Sequence, residues 1–378
     1  MAEKGMKVLI AADKFKGSLS SEEVGQTIKN GILKANPKAE IVVHSMADGG
    51  EGTLEALEKA MAFDRVHLSV EGPLGKKVSA WYGLKSGTAY IEMAQAAGLM
   101  LLPKTKRNPM KTSTYGVGEL IRDALTKNAK RIYLFVGGSA TNDAGAGMAC
   151  ALGYRFLDKS AQELKPRGEN LIDVCQIDRT HAVDFKQTQI FVATDVNNLL
   201  VGNEGAAKMY ASQKGAGPAQ IEHLERCVQH ITSVANKTFG IQADLLTGSG
   251  AAGGLGAGAA WFLNAQIISG SDLLIDSLQL SEKVRNTDVL ITGEGKLDEQ
   301  TLYGKVIYHM VELALHQQKP IVLFCGDNHL DVSTLELEFK ADIYALTDSG
   351  ISVDHCIQNA KEMLEQLAFK WMTEYLTS

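Results

Sequence analysis

The chain of 378 residues has no H-E-x-x-H motif and no Cys/His cluster, so no segment has the spacing of a zinc site. Its five cysteines, Cys150, Cys175, Cys227, Cys325 and Cys356, are scattered, with no C-x-x-C pair. An odd, dispersed set argues against a disulfide framework and suits a reducing compartment. No stretch approaches the roughly 20 apolar residues of a membrane span. The opening residues lack a signal-peptide pattern: the apolar run Val8 to Ala12 is too short for an h-region and reads as a first strand. A cytoplasmic protein without membrane partners is therefore expected. The net charge of −6 is not that of a nucleic-acid binder, which carries a basic face. It still permits a locally positive pocket for an anionic substrate. A Walker A loop is also absent, so any use of ATP would lie outside the P-loop fold.

What the chain has in excess is glycine, 37 residues against 7 prolines. Much of it falls in short bursts, each beside an apolar, strand-like run. The length implies two domains. At the amino end, strand-like Lys7–Ala12 and Ile41–Met46 alternate with helical Ser21–Ala35 and Gly52–Ala62. The same rhythm returns in Asp288–Thr292, Pro320–Cys325 and Asp342–Leu346, and Val353–Tyr375 reads as a long amphipathic helix. Alternating β and α segments imply a parallel sheet covered by helices. Between them, Val66–Leu84 alternates around a Gly72-Pro73-Leu74-Gly75 turn and reads as an antiparallel hairpin. Strands at Arg131–Val136 and Gln189–Thr194 follow. The expected fold is α/β: a discontinuous, Rossmann-like parallel-sheet domain (1–66 and 282–378) with a second, mixed α/β domain (67–281) inserted.

Five segments share one grammar of strand, polar or glycine-rich loop, and helix. Carboxyl ends of parallel strands are where ligands bind, and the helix N-terminus that follows offers N–H groups to anions. Asp13-Lys14-Phe15-Lys16-Gly17-Ser18 suits a phosphate or carboxylate, or is a solvated basic turn. Asp48-Gly49-Gly50-Glu51-Gly52 allows close backbone approach, and its carboxylates suit Mg²⁺ or a hydroxyl, or cap a helix. Gly137 to Gly147, with Gly138, Ser139, Thr141, Asn142 and Asp143, resembles a nest for phosphate oxygens. Asp195, at a strand's carboxyl end, is placed to accept a proton or bind a metal, or is a turn residue; Lys214-Gly215 closes the same segment. Gly293-Glu294-Gly295-Lys296-Leu297-Asp298 carries an acidic cluster suited to Mg²⁺ that keeps several waters, or to a solvated cap. Gly248-Ser249-Gly250-Ala251-Ala252-Gly253 matches G-x-G-x-x-G, with Asp272 at about the spacing of a dinucleotide site. The run continues Gly254-Leu255-Gly256-Ala257-Gly258 without a clear strand context, which favours close helix packing over NAD binding.

Together these segments resemble the glycerate kinase family of the bacterial type without a P-loop. DKFKGSLSSEE, MADGGEGTLEAL, YIEMAQAAGL, RNPMKTSTYGVGELI, VGGSATNDAGAG, the DVNN to QKGA segment, GAAGGLGAG and DVLITGEGKLDEQT occur in the family's order and cover most of the chain. The resemblance implies ATP-dependent, Mg²⁺-assisted phosphorylation of D-glycerate, 2-phosphoglycerate being favoured over 3-phosphoglycerate, in a cleft between two domains. With residue type and loop placement, it implies roles. Lys14 and Lys16 would neutralise phosphate or carboxylate charge, with Ser18 beside them. Gly138, Ser139, Thr141, Asn142, Asp143, Lys214, Gly253 and Gly293 would line the phosphate and substrate site. Asp195 would be the general base, and Asp48 and Glu51 would bind glycerate hydroxyls or the same metal, with Gly49 and Gly50 beside them in the substrate and phosphate site. Glu294 and Asp298 are the candidate Mg²⁺ ligands. The chain departs from the family pattern at Asn197, where a carboxylate is common, at Ala144, and at Ile307 and His309. These changes leave open a kinase for another small hydroxy acid or sugar acid. A nicotinamide oxidoreductase and a non-catalytic ligand-binding regulator are more distant alternatives. The expected protein is a monomer or a homodimer.

Overall fold

The computed structural model describes residues 5–46, 50, 52–298, 301, 306–330 and 341–377. Its strands are β1 (Lys7–Ala12), β2 (Glu40–Ser45), β3 (Asp64–Glu71), β4 (Lys77–Lys85), β5 (Thr88–Glu92), β6 (Arg131–Phe135), β7 (Arg155–Leu157), β8 (Glu163–Leu164), β9 (Gln176–Asp178), β10 (Gln189–Ala193), β11 (Gln266–Ile268), β12 (Val289–Leu297), β13 (Ile321–Asn328) and β14 (Asp342–Ala345). The chain divides into two compact units. One comprises Met1–Asp48, Lys59–Met61 and Ser271–Ser378; the other comprises Gly49–Glu58 and Ala62–Gly270.

The first unit holds a five-stranded sheet, ordered β14-β13-β12-β1-β2, in which every neighbouring pair is parallel. The apolar runs of β1 and β12 are almost wholly buried, as strands covered on both faces must be. After β1 the helix Ser21–Ala35 begins at a capping box: Glu23 N–H donates to Ser20 Oγ at 3.3 Å, and Ser20 N–H donates to Glu23 Oε2 at 2.8 Å. Val24, Ile28 and Ile32 on its apolar face join Leu364, Ala368 and Trp371 of the helix Val353–Thr377 in one core. The chain leaves β1 towards β2 on one side, and from β12 it winds outwards to β13 and β14 on the other. The boundary between β1 and β12 is thus a topological switch point, where α/β sheets bind ligands.

The second unit holds a six-stranded sheet, ordered β11-β10-β6-β5-β4-β3. β3, β4 and β5 form an antiparallel meander, while β5, β6, β10 and β11 run parallel. The expected hairpin is this meander's first half, closed by Gly72 N–H donating to Lys76 O at 2.7 Å. β3 starts at Asp64 and pairs along its length with β4, so it stands with the second unit although residues up to 66 read as the first domain. A small antiparallel sheet, β8-β7-β9, was not expected from the sequence. Its strands of two or three residues carry no periodic signal. A second difference lies in β12, which continues through Gly293, Glu294, Gly295 and Lys296 to Leu297 where a loop was expected. Pairing with β13, as far as Leu297 beside Asn328, holds these weak strand formers extended. Among the described residues, no helix is long and apolar enough to cross a membrane.

Candidate active site

In the second unit, β6 and β10 are adjacent, with Phe135 beside Ala193, and both release their chains at the same sheet edge. The 136–145 loop leaves β6 there. Leu99 N–H donates to Gly138 O at 2.8 Å and Ala140 N–H to Ala97 O at 2.9 Å, which fix the loop's first half. Its centre is held by Lys214, a buried lysine whose Nζ donates to Ser139 Oγ at 2.8 Å and to Thr141 O at 2.7 Å. Burial pushes this ammonium down from its ordinary value near 10.5 to about 7, partly offset by the charge of Asp143. Thr141 Oγ1 and both amide atoms of Asn142 are buried without a hydrogen-bond partner among the described residues. Buried polar atoms of this kind are uncommon in a native interior and offer hydrogen-bonding capacity to a ligand.

Asp143 behaves differently. Its carboxylate is fully buried and accepts from Thr114 N–H at 2.7 Å, Thr114 Oγ1 at 2.9 Å, and Gly145 and Gly147 N–H, each at 3.3 Å. Burial raises its pKa, against the pull of those donors. The geometry makes Asp143 the anchor of the loop, tying it to the start of the helix Tyr115–Thr126. Behind the loop stands the helix Ala251–Leu263, whose first turn is left-handed at Ala252, Gly253 and Gly254. A Cβ on Gly253 would lie 2.0 Å from Thr141 O, so only glycine permits this approach. The G-x-G-x-x-G of the sequence is this packing device. It follows a 3₁₀ turn at Ala243–Leu245, where a dinucleotide fingerprint would follow a strand.

Asp195 follows β10 at the same edge. Its Oδ1 accepts from Ser269 Oγ at 3.2 Å and Gly270 N–H at 2.8 Å, just past β11, which fixes the carboxylate's orientation. Asn197 is exposed, and Asn198 is drawn inward, its Nδ2 donating to Glu204 O at 2.9 Å. Two further residues of this edge were not singled out from the sequence. One is Thr114, the donor pair to Asp143. The other is Glu92, buried at the end of β5, which accepts Leu54 N–H at 3.4 Å. A charged residue closing an apolar strand was the available signal for Glu92.

In the first unit, the 13–18 turn leaves β1 beside β12. Asp13 N–H donates to Gly293 O at 2.8 Å, and Gly295 lies so close that a Cβ there would stand 2.9 Å from Lys16 N. Lys14 is partly buried and Lys16 is exposed. Ser18 Oγ donates to Phe15 O at 3.1 Å, so its hydroxyl closes the turn. Glu294 is buried and accepts from Thr301 Oγ1 at 2.5 Å; Thr301 Oγ1 also accepts Asp298 N–H at 3.1 Å. Asp298 lies 3.6 Å from Lys296 Nζ. Among the described residues, no three His, Cys, Asp or Glu side chains gather as a metal site. Ile307 is buried in the helix Val306–His316, and His309 on the same helix lies 3.1 Å from Asp272. Gly50 is buried; Asp48, Gly49 and Glu51 lie outside the described residues.

Known proteins resemble this chain in sequence and fold. The glycerate kinase family matches residues 8–375. A glycerate kinase from Halalkalibacterium halodurans is 40% identical over 96% of this chain and 96% of its own length. The glycerate 2-kinase of Escherichia coli K12 is 38% identical over 94% of each chain. A solved crystal structure described as a glycerate kinase 2 from Salmonella typhimurium LT2 superposes with a TM-score of 0.81 at 36% identity, covering 99% of both chains.

Proposed function

Because the chain belongs to the glycerate kinase family, we propose that it transfers the terminal phosphoryl group of ATP to D-glycerate, giving 2-phosphoglycerate and ADP. The observation that carries this reading is the buried Lys214 ammonium on Ser139 and Thr141, beside the Thr141 hydroxyl and Asn142 amide, which have no partner among the described residues. Such a cluster at the carboxyl edge of parallel strands suits phosphate oxygens, which supply both the negative charge and the missing acceptors.

Phosphoryl transfer needs positioning and charge neutralisation more than covalent chemistry. In the second unit, Lys214, Ser139, Thr141 and Asn142 hold phosphate oxygens, with Gly138 and Gly253 permitting close backbone approach. Asp195, oriented by Ser269 and Gly270, accepts the proton of the glycerate hydroxyl as its oxygen bonds to phosphorus and the bridging oxygen departs with ADP. Asp143 acts by holding the loop. In the first unit, Lys14 and Lys16 offset negative charge on ATP or glycerate. Glu294 and Asp298 fit Mg²⁺ as the one or two carboxylates this ion takes in kinase sites, Thr301 bridging their segment. When bound, Mg²⁺ supplies charge neutralisation at the phosphates. The two compact units serve as a discontinuous domain and an inserted one.

An ADP-release assay across D-glycerate, L-glycerate and a panel of hydroxy and sugar acids tests the substrate. D-glycerate is expected to give the highest kcat/KM. A higher value for another acid would reassign the substrate and point to the departures at Asn197, Ile307 and His309.

A further inference from the structure

Between β5 and the helix Tyr115–Thr126 the chain makes an excursion whose two ends are both tied to the 136–145 loop. At its start, Gly98 bridges Ser139, and Leu99 N–H donates to Gly138 O at 2.8 Å. At its end, Thr112 Oγ1 donates to Ala140 O at 2.8 Å. The residues between carry Lys104, Lys106, Arg107 and Lys111, and no Asp or Glu occurs from Met93 to Gly118. Four like charges on one short loop stand against the chain's net charge of −6. Such a run repels itself unless an anion offsets it. Among the described residues, none of the four is ion-paired with a carboxylate. Arg167 and Glu169 pack on the end of the loop, where Arg167 Nη1 donates to Lys111 O at 2.9 Å and Glu169 N–H to Met110 O at 3.0 Å. Their charges cancel, so the excess of four remains.

The loop is ordered by its own contacts. Lys106 N–H donates to Pro103 O at 2.8 Å, and Met110 N–H donates to Asn108 Oδ1 at 3.1 Å. Arg107 is half-buried, its Nε donating to Leu102 O at 3.3 Å, which steadies the guanidinium and leaves its Nη1 protons for a ligand. Its backbone lies against the residue after Lys214: a Cβ on Gly215, at a φ of 96°, would stand 2.3 Å from Arg107 O. Arg107 is thereby fixed next to the segment whose buried ammonium holds Ser139 and Thr141. Glycerate is a monoanion, which one cation offsets, whereas ATP brings several charges along one chain of phosphates. We propose that the 99–111 loop captures the polyphosphate of ATP, its lysines drawing the nucleotide in and Arg107 forking onto phosphate oxygens. This rests on the use of ATP proposed above, and it adds the residues that meet the nucleotide's charge outside the 136–145 loop.

The test is calorimetric titration of the full chain with β,γ-imido-ATP and Mg²⁺, which needs no turnover. It is run at ionic strengths of about 0.01 and 0.15 M, where charges are screened beyond roughly 30 and 8 Å. Lys104→Gln with Lys106→Gln should weaken binding roughly tenfold at the lower ionic strength and about twofold at the higher. Lys130→Gln with Lys186→Gln removes the same charge just before β6 and β10, at the opposite edge of the sheet, and should change neither value by more than about twofold. Arg107→Ala should weaken binding roughly tenfold at both ionic strengths, because a direct charge-assisted contact is little screened. Arg107→Lys should recover part of that loss. A second titration, with D-glycerate in the presence of the nucleotide analogue, should give the same affinity in all variants. The proposal is overturned if Arg107→Ala leaves nucleotide affinity unchanged, if the two lysine pairs behave alike, or if affinity for D-glycerate falls in place of that for nucleotide, which would give the loop to the acceptor's carboxylate. Failure of the wild-type chain to bind the nucleotide would remove the ATP reading along with it.

Discussion

At the scale of single residues, two side chains of opposite charge, Asp195 and Lys214, carry the proposed chemistry. Asp195→Asn keeps the hydrogen bonds of the side chain's shape and removes the proton acceptor. It should lower kcat by roughly 10² to 10⁴, the range of general-base contributions; near-normal turnover would mean that the hydroxyl needs no base here. Lys214 makes a pH prediction. Its ammonium persists below about 7 and is lost above. If it holds phosphate oxygens, kcat/KM for ATP should fall as pH rises through about 7, since this parameter reports the free enzyme. Lys214→Met should lower kcat/KM on the acid side and abolish that limb. Stability should move the other way. The folded pKa lies below the unfolded value near 10.5, so between about 7 and 10.5 the unfolded chain holds a proton that the folded chain has shed. Folding is therefore favoured progressively as pH rises across that window, and the penalty of the buried charge is fully present below it. The difference between wild-type and Lys214→Met unfolding curves over pH isolates this effect. Little of it was legible in the sequence. Lys214 could be placed near a candidate loop, but its burial depends on contacts with Ser139 and Thr141 about seventy residues away. Asp143 reads in sequence as a substrate ligand like its neighbours, and only the converging N–H groups of Thr114, Gly145 and Gly147 show it to be the loop's anchor.

At the scale of elements, the legible parts were those whose local signals agree with their surroundings. The helix Ser21–Ala35 has its capping box and apolar face written in one short segment. β1 is a plain buried run. β12 past Ile291 is the opposite case: the glycines, glutamate and lysine of its second half have no strand preference, and the partner that extends them begins some thirty residues later. The glycine-rich helix Ala251–Leu263 was legible as a packing element, though its left-handed first turn was not. It carries a prediction. Gly253→Ala places a methyl 2.0 Å from Thr141 O at a φ of 69°. Overpacking and a left-handed Cβ together should destabilise the protein by about 3 kcal/mol, measured by urea unfolding, and kcat should fall because the loop is displaced. Ser20→Ala serves as the contrast. Losing the cap should lower stability by about 1 kcal/mol and leave kcat unchanged. Equal kcat values for the two variants would detach the glycine clamp from the active loop.

At the scale of the whole molecule, the rhythm of strands and helices disclosed an α/β chain with one parallel sheet and one mixed sheet, because each strand-helix repeat is encoded locally. The extents of the two compact units were less legible. β3 begins before residue 67 yet pairs with β4, and residues from Ser271 onward stand with the first unit before residue 282. Pairing partners and packing decide these allegiances, and neither is written at the boundary itself. The rival reading as a nicotinamide enzyme rested on one glycine motif, and that motif lies after a 3₁₀ turn and is spent on helix packing. The central claim is the reaction itself. Purified protein incubated with D-glycerate, ATP and Mg²⁺ and followed by phosphorus NMR should show ATP consumed and a 2-phosphoglycerate resonance growing with it. A 3-phosphoglycerate resonance would contradict the proposed regiochemistry while keeping the reaction, and an unchanged spectrum would contradict the account.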